Sequence, residues 1–307
     1  MSYLSHEHPA FTTPLTIVGP RRSPRQMLAE QSYGGHASVH DGETADALGL
    51  AGAPIEGPTH FSQVDPLAHT VWGSAWFERG CVSAHFKTMV VEGQEVIASL
   101  TTTSATDARI ESRKGDGTLV LVGTASIGDD DPTELTARLA TTNEPGELFV
   151  LDQLAVGQRS APSATVTLDL DTPNGDLYPF TLRQKLAAIT EPSPWYESGD
   201  NPWGHPIVPI EMLSVLSEKA GSDFAVRGPA VGLFLDLEVR LVNGPVLVGR
   251  RYRVEREIVG LGQSRRTESY WVRTHLTDDA TDVLAATVLL HAGVFKQSYA
   301  GYPADRL

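Results

Sequence analysis

Hydrophobic positions along this chain follow a helical period and then a strand period, and they do so twice. In "IEMLSVLSEKAG", Ile210, Leu213 and Ser217 share one face with Met212 and Leu216 beside it, and Gly221 stands where a helix would end. "GPTHFSQVDPLAHTVWG" carries an earlier helical pattern. Three strand-like runs follow the first helix: "VSAHFKTMVV", "QEVIASLTTTSAT" and "TLVLVGTASIG". The last two are predicted to join across "RKGDGT", where Asp-Gly favours a hairpin turn. Four longer runs follow the second helix: "LFLDLEVRLV", "LVGRRYRVEREIVG", "RTESYWVRTHL" and "DVLAATVLLHAGVF". Shorter helices are predicted at "RQMLAEQ", at "VHDGETADALGL" with Asp41 as N-cap, and at "YPFTLRQKLAAI". "SATVTLDLD" reads as a strand, and the first twenty-odd residues read as an arm or edge strand. A buried helix followed by an antiparallel meander, repeated, predicts an α+β fold in which each half wraps a curved sheet around a helix.

Glycine and proline punctuation supports the duplication. "GAPIEGPTHF" begins at Gly52 and "GHPIVPIEML" at Gly204, 152 residues on. The apolar runs downstream end at Gly93 and Gly244, 151 apart, and Lys87 and Arg240 correspond at 153. A constant offset near half of 307 residues points to one structural unit used twice. The expected units are residues 1–128 and 150–307. An acidic, proline-bounded linker over 129–149 would join them, with a helical turn or two inside.

Composition narrows the setting. With 41% hydrophobic residues, the chain can bury a large core. The single cysteine, Cys81, excludes an intramolecular disulfide framework and fits a reducing cytoplasm. No secretory signal and no apolar stretch of bilayer length are visible, so no membrane partner is expected. A net charge of −14 argues against a nucleic-acid partner. No His/Cys/Asp cluster has zinc-like spacing, so neither metal nor cofactor is expected.

The layout and one short string resemble the MaoC-like hydratase/dehydratase group of double-hotdog proteins. Hydratases of that group carry G-D-x-N-P-[LIV]-H, in which Asp and His act together on a hydroxyacyl or enoyl thioester. In "GDNPWGH", Asp200 and His205 keep the separation of five, while Asn201-Pro202 is displaced by one position and Gly204 replaces the branched residue. In the first half, "GGHASVH" aligns His40 with the histidine and puts Gly35 at the aspartate position, so on this comparison that half has lost the acid and is expected to be structural or substrate-binding. "GHPIVPIEM" is also similar to the G-H-F-P-x-x-P-[VI]-x-P-G loop of β-hydroxyacyl carrier-protein dehydratases, in shortened form. The resemblance implies two fused hotdog units, a CoA or carrier-protein thioester as small-molecule partner, and an acyl pocket where the units meet. It also suggests that double-hotdog chains pair as a homodimer.

Dehydration of a β-hydroxyacyl thioester needs a base, an acid, and donors for the developing enolate oxygen. Helix starts supply free N–H groups for the last task. His205 and Asp200 are therefore the leading catalytic candidates, with His60 and Glu56 at the first helix start as a second pair. Trp195, Tyr196, Trp203 and Ile210 are candidates to line an acyl site, and Arg265 and Arg266 to meet a phosphate of CoA or carrier protein. Two other readings stay open. One is a hotdog thioesterase that directs water with Glu56, Glu211 or Glu218; the other is a non-catalytic protein binding an acyl-like or polyketide-like ligand.

Overall fold

A computed structural model describes residues 14–32, 34–128, 132–161, 165–219, 221 and 224–307. In the first half, β1 (Thr16–Val18) and β2 (Ala37–Ser38) precede α1 (Gly42–Ala47). A 3-10 turn at Gly57–His60 leads to α2 (Asp65–Trp72) and α3 (Ala75–Arg79). Strands β3 (Cys81–Phe86), β4 (Val96–Thr102), β5 (Asp107–Lys114) and β6 (Leu119–Ser126) follow. The connection holds α4 (Glu134–Ala140), two turns of helix within the expected linker. The second half runs β7 (Val166–Thr167), α5 (Leu182–Ala188), a 3-10 turn at Pro194–Tyr196 and α6 (Met212–Glu218). It closes with β8 (Val231–Leu241), β9 (Arg251–Gln263), β10 (Thr267–Asp278) and β11 (Leu284–Phe295).

The eleven strands among the described residues belong to one sheet, in the order β1-β4-β5-β6-β3-β8-β11-β10-β9-β7, with β2 added parallel to β8. Order β4-β5-β6-β3 on one side mirrors β9-β10-β11-β8 on the other. The seam is the antiparallel pair β3–β8, with Val82 opposite Val239 and His85 opposite Asp236. The same echo reaches the loops before the helices, where Ile55 N–H bonds the Val90 carbonyl and Val208 N–H the Val246 carbonyl. The chain is an α+β double hotdog.

Alternation along the strands sorts the two faces. Val82, Ala84, Leu121, Ala125, Leu237, Val239, Val288 and Leu290 point inward, into one cluster with Phe61, Val64 and Leu67 of the first helical segment and Leu213 and Leu216 of α6. Each Val, Leu or Phe side chain among them contributes about 1.5–3 kcal/mol by leaving water. On the opposite face a small cluster of Leu135, Trp271 and Leu289 seats α4. Gly123 allows β3 and β6 to approach closely, because a Cβ there would strike the Ser83 carbonyl.

Several expectations need adjusting. "RQMLAEQ" forms no helix, and among its described residues "SATVTLDLD" contributes the two of β7. The continuous helix expected over "GPTHFSQVDPLAHTVWG" is a 3-10 turn, a loop and then α2, with Pro66 in the first turn of α2. The Asp-Gly hairpin joins β5 to β6, and β5 was not expected. Its sequence "DARIESRK" buries Ala108, Ile110 and Ser112 on one face and carries Arg109, Glu111 and Arg113 on the other. With five of its eight positions charged, such a strand has little hydrophobic signal of its own. By contrast, the Asp41 cap accepts from Thr44 N–H at 2.8 Å, and Gly221 ends α6 with φ +69°.

Candidate functional site

The two helix starts meet in the interior, and the side chains at their meeting point are charged. Glu56 ends an extended segment just before the 3-10 turn, and Glu211 caps α6. Lys185 reaches both from α5: Nζ lies 3.3 Å from Glu56 Oε2 and 3.4 Å from Glu211 Oε1, and it donates to Thr59 Oγ1 at 2.9 Å. Exposures of 5%, 2% and 2% for Glu56, Glu211 and Lys185 remove this triad from water. Burial works against the ammonium, but the Glu211 and Glu56 carboxylates overcome it and hold the Lys185 pKa above its ordinary value. Burial pushes the Glu211 carboxyl up, with Lys185 opposing. Around the triad, Glu56 Oε1, His60 Nδ1 and both amide atoms of Gln63 have no hydrogen-bond partner among the described residues.

Further along the first helical segment, Asp65 is buried and accepts from Trp76 Nε1 at 2.9 Å and Tyr196 Oη at 3.2 Å. Burial raises its pKa to about 7, more than those two donors lower it. His60 is lowered to about 4, by burial first and by the charges of Lys185 and Lys114 next, so its imidazole is neutral at physiological pH.

His40 stands at the edge of this buried region. β2 pairs with β8, and Val39 and Leu48 pack on Val231 and Phe295, so the first-half loop carrying His40 is seated on the second half. His40 Nδ1 donates to the Pro54 carbonyl at 2.7 Å, an oxygen that also accepts from Gln26 Nε2. That bond fixes the tautomer and leaves Nε2 as the lone-pair nitrogen. Burial lowers the His40 pKa; the Pro54 carbonyl and the Glu56 charge act in the other direction. Gly35, at the position the resemblance gives to the acid, has φ +79°, a conformation that disfavours a side chain.

The candidates from the second half are distributed differently. His205 is exposed, and its Nε2 donates to the Val248 carbonyl at 2.8 Å. Asp200 is also exposed, and no hydrogen bond joins it to His205 among the described residues; Asn201 bridges instead to the His205 carbonyl. Trp195 and Trp203 meet edge to face at 5.6 Å, and both contact Phe77. Tyr196 is held by Asp65, and Ile210 is core. Arg265 and Arg266 occupy the exposed β9–β10 turn, where the Arg266 guanidinium lies 5.5 Å over the Phe295 ring.

Sequence reasoning missed Lys185, although it left a trace. Leu182, Lys185, Leu186 and Ile189 recur at helical spacing, so the lysine sits in an apolar stripe. It also missed a second cluster on the outer face. There Asp236 accepts from His85 Nδ1 and His291 Nδ1, each at 2.5 Å, and Arg138 Nε of α4 lies 3.1 Å away. Burial opposes ionisation of Asp236, but the two imidazoles hold its pKa down to about 2. The His291 ring stacks on Trp271 at 4.0 Å.

No protein-family profile matches the sequence, and no curated protein matches it. Solved structures do match the fold. A MaoC domain protein from Chloroflexus aurantiacus J-10-fl, assigned as a dehydratase, superposes with a TM-score of 0.57 at 14% identity, covering 93% of this chain and 95% of that one. Rv0216, a conserved hypothetical protein from Mycobacterium tuberculosis with a double hotdog fold, superposes with a TM-score of 0.60 at 12% identity, covering 93% and 97%. At these identities the likeness shows the double-hotdog fold. Among the described residues, no helix is long and apolar enough to cross a membrane.

Proposed function

We propose that this chain is a hydratase/dehydratase of an acyl thioester, carried by CoA or a carrier protein, and that its base is His40. The carrying observation is the His40 Nδ1–H bond to the Pro54 carbonyl, which leaves Nε2 unprotonated. Pro54 lies two residues before Glu56, so the bond ties the imidazole to the first helix start. A neutral imidazole with a fixed tautomer can accept the α-proton of a β-hydroxyacyl group. Burial favours that neutral form in His40. The fold is similar to that of a MaoC domain protein described as a dehydratase, in keeping with this reaction class.

The test is a panel of enoyl-CoA and β-hydroxyacyl-CoA substrates, followed by thioester absorbance and by free thiol. Hydration changes the first without releasing the second. His40→Asn is expected to lower turnover about a hundredfold to ten-thousandfold, the usual worth of a general base. His205→Asn should change it by less than about threefold. Full turnover in His40→Asn would sink the assignment, and thiol release would replace the lyase by a thioesterase.

A further inference from the structure

We propose that Glu56 and Glu211 hold one proton between them at neutral pH under Lys185, and that Glu56 delivers it as the acid that Gly35 cannot supply. The acid role rests on the hydratase reading above; the shared proton does not.

Charge counting leads there. Two carboxylates within 3.4 Å of one ammonium carry a net negative charge if all three groups are ionised. All three are at most 5% exposed, and an uncompensated charge so placed costs several kcal/mol. Taking up one proton removes the excess. The other titratable neighbours do not relieve it. His60 is neutral, burial keeps Asp65 largely protonated up to about pH 7, Glu191 is paired with Arg22 at 2.6 Å, and the Tyr178 hydroxyl is held protonated by burial. Arg256, a cation felt at Tyr178, is held by the Ser217 and Gly221 carbonyls and lies 3.9 Å from Glu218. Lys114 is felt at His60, but no ion pair joins it to either glutamate among the described residues. The Ser62 hydroxyl donates to the Thr59 carbonyl at 2.9 Å and brings no charge. Glu56 Oε1 is buried and has no hydrogen-bond partner among the described residues, which leaves it as the oxygen to carry the proton.

Acid and base are tied to one short stretch of chain, and the Glu56 charge is felt at the His40 imidazole. His40 is tied to the Pro54 carbonyl, and the chain is extended at Glu56, with φ −62° and ψ 127°. Two extended residues span about 7 Å. In the dehydration step, His40 Nε2 takes the α-proton and the C–H electron pair forms the double bond. The β C–O bond breaks, and the hydroxyl leaves with the Glu56 proton as water. The imidazolium then returns its proton to the carboxylate pair, so the cycle closes with no co-reactant. Lys185 and Glu211 are positioning residues that set the protonation of Glu56.

Infrared spectroscopy with hydrogen–deuterium exchange reads the proton directly, in an Asp65→Asn background that removes the other buried carboxyl titrating near neutrality. The expected result at pH 7.5 is a carbonyl band of a protonated, buried carboxyl that shifts in heavy water and is lost in Glu211→Gln. Glu56→Gln should lose it too, and serves if Glu211→Gln does not fold. In Glu211→Gln the remaining Glu56 pairs with Lys185 and ionises, so turnover should fall at least about tenfold at pH 7.5 and recover toward acid pH. Absence of the band overturns the shared proton whatever the activity. A band without hydratase turnover in the wild type overturns the acid role together with the hydratase reading. A wild-type pH profile in Glu211→Gln overturns the acid role alone.

Discussion

At the first helix start the chain buries Glu56, Thr59 and His60; at the second it buries Ile207, Val208 and Ile210, with Glu211 as the single charge, and leaves His205 and Asp200 in solvent. The punctuation of the two stretches is nearly the same, Gly-x-Pro-Ile in each. Their environments differ because the halves dock asymmetrically. Lys185 of α5 reaches across to Glu56, and the loop carrying His40 crosses the other way to β8. Duplicated backbone therefore supports one polar interior site whose parts come from both halves. Motif likeness alone points to the second half, where the Asp-x4-His spacing survives on a surface loop.

The largest test of this contrast is Lys185→Met. It leaves Glu56 and Glu211 without their cation, and removing one partner of a buried ion pair costs about 3–5 kcal/mol. Urea unfolding should show that loss, and Lys185→Met with Glu211→Gln should regain part of it. If the single variant is as stable as the wild type, the interior site carries no electrostatic weight.

Next in size is the pH response of Asp65. Its folded pKa of about 7 lies above the unfolded value of 3.8, so the native state binds the proton more tightly. This contribution is complete below about pH 4 and is lost as pH rises to about 7. His60 acts in the opposite sense. Its folded value of about 4 lies below 6.5, so stability falls as pH drops through that interval. The difference between Asp65→Asn and wild type isolates the first effect. The variant should gain on the wild type by roughly 3–4 kcal/mol between pH 4 and 8, since each tenfold change in proton affinity is worth about 1.4 kcal/mol. A constant difference across that range would show that Asp65 is ionised in the folded protein.

The smallest expected effect lies outside both helix starts, at the β3–β8 seam. Asp236, held to about 2, stabilises the fold above pH 3.8 and loses that contribution as pH falls toward 2. Asp236→Asn should cost about 2 kcal/mol at pH 7, without the change in turnover expected at His40. A turnover loss in Asp236→Asn as large as that in His40→Asn would place the chemistry on the outer face instead.

Much of the architecture was readable one element at a time. The second-half strands were legible because Val, Leu, Tyr and Trp dominate them, and α1 and α6 because Asp41 and Gly221 mark an end of each. β5 was not, since its outer face is charged and only Ala108, Ile110 and Ser112 turn inward. The candidate site was legible as separate residues, Glu56 and His60 among them, but not as a cluster. Lys185 lies 129 residues from Glu56 along the chain, and no local period reports such a pairing.

By itself the sequence determined the repeated helix-then-meander order, since period and turn chemistry are properties of neighbouring residues. It also determined the equivalence of the two helix starts, through a fixed glycine and proline spacing. Which start would be buried among charges was decided only by the tertiary structure. Burial and ion pairing depend on what the other half of the chain brings alongside, and desolvation then sets the protonation of Glu211, His60 and Asp65.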